Sequence, residues 1–158
     1  MRAGGCEDVR ILVTGADGLV GAGVVRYLTQ TGKYEVFTTS RQKAMNQKHI
    51  YCDLCSMDLF SVLSELKADA IVHCAAALPA NFSDSAEVFS INKKIDGNIL
   101  HAVRKTHSRL IYMSGVTVCG LSGEDLVTET SPVDLFSDYI AEKYEAELAI
   151  QAEQREHV

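Results

Sequence analysis

Apolar positions along this chain switch repeatedly between two spacings. Compact apolar runs at Arg10 to Val13, Glu35 to Thr39, His49 to Cys52, Ala70 to Cys74 and Arg109 to Met113 have the length and bounding residues of strands. Between them lie stretches with helical spacing, Leu19 to Gln30, Met57 to Lys67, Ser83 to Lys105 and Ser137 to Glu153. Gly32 stops the first helix and Ser56 is placed to cap the second. Ser40 to Lys48 is too short for a full crossover helix, so the second and third strands are expected to join by an abbreviated connection. Ala75 to Asn81 reads as a loop of small residues, and Gly120 to Asp138 as irregular and polar. Strand alternating with helix predicts the α/β class: a Rossmann-type, doubly wound parallel sheet in the order 3-2-1-4-5. Its ligand crevice lies at the carboxyl ends of the strands, where the winding reverses between the first and fourth. Residues 1–9 form a tail and 10–158 the domain.

The first strand runs into Gly15, Gly18 and Gly21 and then into a helix. Glycine lets a tight turn form and lets a ligand approach the backbone, and the amides that open the helix, with its dipole, make a site for a diphosphate. A dinucleotide is the natural guest. Three glycines can also simply make a turn, and the spacing is G-x-x-G-x-x-G instead of G-x-G-x-x-G, but the strand before and the helix after are the context that a dinucleotide fingerprint requires.

The end of the second strand bears on which dinucleotide. An NAD-binding domain usually carries an acid there for the ribose 2′-hydroxyl; here Val36-Phe37-Thr38-Thr39 leads to Ser40-Arg41. Arg41 can pair with a 2′-phosphate through its planar fork, with Ser40 donating a further hydrogen bond, which favours NADP over NAD; the alternative is a surface arginine.

Tyr139 and Lys143, four residues apart on the last predicted helix, share one face. A phenol is a poor acid or base at neutral pH, and an ammonium beside it is expected to favour the phenolate and bring it into working range.

Composition narrows the field. The net charge of −6 gives no basic face for nucleic acid, and no apolar run is long and unbroken enough for a membrane anchor or leader, so a cytoplasmic protein is expected. The five cysteines are an odd number, read as free thiols. Cys52 and Cys55 have C-x-x-C spacing without a second pair or a suitably spaced His, so no metal site is expected.

With Thr14 in front, the glycine stretch resembles the T-G-x-x-G-x-x-G signature of extended short-chain dehydrogenases/reductases, the NAD(P)-dependent epimerase/dehydratase family. The similarity extends from about Arg10 to Ala149. It implies that Thr14, Gly15, Asp17, Gly18, Leu19, Val20 and Gly21 lie against the cofactor, and that Asp53, followed by Leu54, accepts from the adenine amino group; a capping role for Asp53 is the alternative. Ala75 and Ala76, after His73-Cys74, match a small-residue step that runs along the cofactor. His73 itself reads as a packed strand residue. Asn92 to Leu100 matches a helix pattern whose first Asn supports the active site, with departures at Ile95 and Asp96, where Gly and Thr are usual. In the family, Tyr139 and Lys143 would move a proton at a substrate hydroxyl or carbonyl while the nicotinamide moves a hydride.

The family's catalytic Ser or Thr, however, aligns with Gly115. Ser114 and Thr117 are the nearest candidates to supply a hydroxyl, and Cys119 replaces a usual Tyr. The resemblance implies an epimerase, dehydratase or reductase acting on a nucleotide-linked sugar, with the short second connection similar to the branch that reduces 4-keto-deoxy sugars. It also implies a homodimer packed through the helices that begin near Ser83 and carry Tyr139; Ile140, Tyr144 and Leu148 offer apolar surface there, and packing within the chain's own core is the alternative use of the same residues. The competing reading is a regulatory or scaffold module that binds NADP without turnover, which Gly115 favours. The chain is expected to lack the later strands and the substrate lobe, with Arg155 to Val158 as the start of a further strand.

Overall fold

The computed structural model describes residues 9–42, 47–56, 59–120 and 126–156. The expected tail, apart from Val9, and the expected helix start at Met57 fall outside them. Among the described residues, five strands, β1 (Val9–Thr14), β2 (Tyr34–Ser40), β3 (His49–Tyr51), β4 (Ala70–His73) and β5 (Arg109–Tyr112), form one parallel sheet in the order β3-β2-β1-β4-β5. The same residues supply four α-helices: α1 (Leu19–Thr31), α2 (Leu59–Leu66), α3 (Ser85–Thr106) and α4 (Asp138–Glu156). The expected Rossmann-type order is the observed one.

The chain folds as two compact units. Of the described residues, one unit contains all five strands and comprises those up to Ala75 with His101–Met113; the other comprises Ala76–Leu100 and those from Ser114 onward.

In the sheet-containing unit, alternation along β1 sends residues to opposite faces. Ile11 and Val13 pack with Val72 against Val24, Val25 and Leu28 of α1, while Leu12, of the other parity, is also fully buried, as is Ile71 of β4. A strand covered on both faces needs a continuous apolar run, which is why β1 reads Ile-Leu-Val. Register places Thr14 opposite Thr39 of β2 and His73 of β4, so the carboxyl ends of three strands finish level, where β2 and β4 leave β1 on opposite sides.

The second unit sets Ser85–Leu100 of α3 beside α4. Ser85 donates to Asp138 at 2.6 Å and Lys93 pairs with Glu145 at 3.0 Å, so the two helices run in the same direction. Ser137 caps α4 by accepting the Ile140 N–H at 3.3 Å. One expectation is corrected here: Arg155 and Glu156 continue α4 and do not begin a strand. Ile140 is buried in the chain's own fold, which is the core-packing alternative, while Leu148 is exposed and Tyr144 half-buried.

Candidate functional site

The glycine turn is built by the ends of β1, β2 and β4. Gly15 has φ +65°, and a Cβ on it would stand 2.7 Å from Ala75 Cα, a distance no side chain survives. A Cβ on Gly21 would stand 2.1 Å from the Gly15 carbonyl oxygen, so the first turn of α1 lies directly on the loop. At Gly18 the same oxygen would be 3.3 Å away. The loop is pinned from below: Gly15 and Ala16 donate to the Thr39 carbonyl at 3.1 and 3.4 Å, and Gly18 donates to the Gly15 carbonyl at 3.0 Å. Thr14 is buried, its hydroxyl 2.6 Å from His73 Nδ1 and accepting the Ala75 N–H at 3.4 Å, which ties the turn to the start of the loop after β4. His73 is thus a hydrogen-bonded strand residue, as its sequence position suggests.

The start of α1 faces outward. Among the described residues no side chain caps it, and its first turn contains no acid. Leu19, at the first helical position, is 94% exposed; Asp17 and Gly18 are exposed beside it, and Val20 next to it is half-exposed. An open helix terminus above a backbone cradle that any Cβ would fill fits a dinucleotide diphosphate.

Around this turn, Arg41 is exposed and Ser40 buried. The Ser40 hydroxyl accepts the Gln42 N–H at 3.2 Å and lies 3.3 Å from His49 Nε2. Thr39 Oγ1 is buried without a hydrogen-bond partner among the described residues. Asp53 is exposed, with Oδ1 accepting the Cys55 N–H at 3.0 Å in a local turn, and Leu54 is buried. Ala75 is half-buried. Cys52 and Cys55 form no disulfide among the described residues, and burial pushes the Cys74 thiol up.

The second unit holds the other candidates. Asn92 is buried and clamps Ala77 from both sides: its amide donates to the Ala77 carbonyl at 3.0 Å while its own carbonyl accepts the Ala77 N–H at 2.7 Å. This fixes the backbone next to Ala76. Tyr139 is half-buried on the first turn of α4. Lys143 is almost fully buried one turn on, its ammonium 3.5 Å from Asp96 Oδ2 and 3.9 Å from Glu142 Oε2. The expected depression of the tyrosine is not what this arrangement gives. Burial, then the carboxyl groups of Glu142 and Asp96, push the Tyr139 phenol up, so it is held protonated.

Ser114 is exposed and donates its hydroxyl to the Glu147 carboxylate of α4; Thr117 is exposed in a short 3-10 turn, Val116–Cys119. Gly115 has an extended backbone, φ −132° and ψ 132°, which any residue adopts, and a Cβ there would meet Thr117 Oγ1 at 3.2 Å. Sequence reasoning missed Glu142, Glu147 and the Thr39 carbonyl. Glu147 meets Ser114 33 residues away, Glu142 is marked by its burial beside Lys143, and the Thr39 carbonyl acts through its main chain, for which no residue type is diagnostic.

The model of the NAD-dependent epimerase/dehydratase family matches residues 11–158 of this chain. Among solved structures, L-threonine dehydrogenase from Phytophthora infestans is 26% identical with a TM-score of 0.78, covering 89% of this chain and 47% of its own. The dTDP-glucose 4,6-dehydratase from Bacillus anthracis, solved with NAD, is 25% identical with a TM-score of 0.73 over 89% of this chain and 49% of its own. A curated relative, fatty acid hydroxylase uhd1 of Mycosarcoma maydis, is 29% identical over 65% of this chain and 39% of its own length. The chain therefore spans about half the length of the solved structures it resembles, and less of the curated relative.

Proposed function

Because the chain belongs to the NAD-dependent epimerase/dehydratase family, we propose that it holds a nicotinamide dinucleotide on its glycine turn and moves a proton with Tyr139 at a hydroxyl or carbonyl of a nucleotide-linked sugar, as an epimerase, dehydratase or reductase does. The observation that carries this reading is the cradle itself: positions 15 and 21 exclude any Cβ, beneath a helix terminus without a cap or an acid. The dinucleotide, when bound, supplies hydride transfer. The chain's part is to bind, orient and handle the proton. The open amides of Leu19, Val20 and Gly21 hold the diphosphate, with Thr14, Asp17 and Gly18 shaping the turn. Asp53 and Leu54 take the adenine end, and Ala75 and Ala76 present small side chains along the nicotinamide half. Asn92 fixes that segment through Ala77.

Tyr139, kept neutral, is the proton donor; Lys143 supplies positive charge behind it, and Ser114 or Thr117 a nearby hydroxyl. A nucleotide sugar is favoured by the likeness to a dTDP-glucose dehydratase. NADP is favoured over NAD by the absence of any acid from Val36 to Gln42 and by exposed Arg41. The chain is further proposed to be a cytoplasmic homodimer built on α3 and α4, which sedimentation would test.

Fluorescence titration with NADPH and NADH tests the binding reading. Gly15→Ala is expected to lose both ligands and Arg41→Ala to lose NADPH affinity alone; a wild-type chain that binds neither would overturn it. A second reading, a binding module without turnover, is favoured by two observations: Gly115 offers no hydroxyl, and the Ser114 hydroxyl is engaged by Glu147. An assay of sugar-nucleotide conversion separates the two.

A further inference from the structure

His49 opens β3 and stands opposite Thr38 of β2, so its ring lies on the strand face that carries Thr38 and Ser40. It touches alternate residues along that face. Nδ1 is 2.8 Å from the Thr38 hydroxyl, and Nε2 is 3.3 Å from both the Ser40 hydroxyl and the Gln42 carbonyl oxygen. The Ser40 hydroxyl also accepts the Gln42 N–H at 3.2 Å, which closes a turn with exposed Arg41 at its apex. All of these residues belong to the sheet-containing unit.

The partners fix where the hydrogens are. A carbonyl oxygen has none to give, so Nε2 carries the ring hydrogen and shares it between Gln42 and Ser40. In the neutral ring Nδ1 is then bare and accepts the Thr38 O–H. The Gln42 N–H can only donate, so both groups that reach Ser40 Oγ bring a hydrogen to it. The hydrogen of Ser40 itself is left without an acceptor among the described residues, on a residue only 7% exposed. Beside it, the Arg41 guanidinium has N–H donors and no acceptor. Groups that can only donate suit a ligand that can only accept. Phosphate oxygens do so with charge assistance, whereas a free ribose 2′-hydroxyl can also donate and has no acid from Val36 to Gln42 to take its hydrogen.

We propose that His49 is the positioning residue for dinucleotide choice: its Nε2–H holds the Ser40–Gln42 turn closed around Arg41 and leaves the Ser40 hydroxyl to donate to a 2′-phosphate. This rests on the reading that the dinucleotide binds on the glycine turn with its adenosine ribose at the end of β2. Joining the two strands does not need the ring, because the backbone does it: the Thr38 N–H donates to the Lys48 carbonyl at 2.9 Å and the Cys52 N–H to the Ser40 carbonyl at 3.1 Å.

Two measurements test this. Nitrogen-15 NMR of the full chain labelled at histidine, with His49→Asn picking out its signal among the five histidines, is expected to show the Nε2–H tautomer in the absence of ligand. A neutral ring found as Nδ1–H would overturn the proposal. Fluorescence titration with NADPH and NADH then compares two substitutions. An asparagine amide reaches to the place of Nδ1 and a glutamine amide to that of Nε2, so His49→Asn releases the turn and His49→Gln keeps it. His49→Asn is expected to weaken NADPH binding about tenfold, as loss of a charge-assisted hydrogen bond does, and to leave NADH binding unchanged, which also reports that the variant is folded. His49→Gln is expected to stay within about twofold of wild type for both ligands. A histidine that served structure alone would make both variants lose both ligands alike. An NADPH preference intact in His49→Asn, or lost equally in His49→Gln, would overturn the proposal. The underlying reading fails separately: a wild-type chain without NADPH preference counts against the cofactor choice and the role of His49 together, whereas a preference removed by Arg41→Ala and kept in His49→Asn counts against the role of His49 alone.

Discussion

At the scale of single residues, glycines in the same helix do opposite things. Gly21 has no room for a Cβ, whereas a Cβ on Gly23 meets nothing within 4 Å. Gly21→Ala must displace the turn and is expected to destabilise the chain by about 1 to 3 kcal/mol, as overpacking does, and to abolish dinucleotide binding. Gly23→Ala is expected to stabilise it by about 0.5 to 1 kcal/mol through helix propensity, with binding kept. Urea unfolding and a fluorescence titration of both variants check this. Glu142 gives a prediction in pH. Its pKa is raised from 4.5 to about 8, first by burial and then by Asp96, with Lys143 opposing. Between those values the folded chain keeps a proton that the unfolded chain has released. The stability this contributes is fully present below the unfolded pKa and is lost as pH rises through about 8. Urea midpoints should fall from pH 5 to pH 9 by at most about 1.4 kcal/mol per pH unit, and Glu142→Gln should flatten the curve.

Between elements, the decisive contacts join segments that are distant in sequence. Asn92 of α3 satisfies both backbone groups of Ala77, so Asn92→Ala leaves a half-buried N–H and C=O without that partner and is expected to cost about 1 kcal/mol or more and to weaken binding, whereas Asn92→Asp should keep only the half of the clamp that accepts the Ala77 N–H. Gly115 is the reverse case. Its extended backbone accepts a side chain, so Gly115→Ser is expected to fold normally by thermal unfolding, provided the Thr117 hydroxyl gives way by a few tenths of an ångström. This contrast explains how much of the protein was legible beforehand. The sheet order and the glycine turn follow from local patterns: apolar runs of strand length, and glycines at fixed spacing where the strand ends. The pairing of Asp96 with Lys143, 47 residues apart, and of Ser114 with Glu147, 33 apart, has no local mark. The i, i+4 spacing of Tyr139 and Lys143 put both on one helix face but could not show that two acids would surround the lysine. Burial first, and then those two acids, raise the tyrosine that was expected to be lowered.

For the whole molecule, an acidic chain of net charge −6 must bind an anionic dinucleotide against its own field, so affinity has to come from local features: the α1 terminus, the close backbone approach at Gly15 and Gly21, and the Arg41 guanidinium. Each lies in the sheet-containing unit. Binding to the folded chain alone stabilises it by mass action, about 2.7 kcal/mol at one hundred times Kd, which for a chain of this size raises Tm by roughly 5 to 10 °C. Turnover asks for more. A sugar must be held with its reacting carbon and oxygen in place, and orientation of that kind is worth roughly 7 to 11 kcal/mol of barrier. The 158-residue chain spans about half of the solved structures it resembles. It is expected to show the thermal shift with NADPH and, on the proton-transfer reading, conversion of a nucleotide sugar. Differential scanning fluorimetry and a coupled absorbance assay on one purified sample check both halves. Absence of the shift would count against the glycine-turn site, and conversion by the 158-residue chain would show that its own residues suffice to orient a substrate.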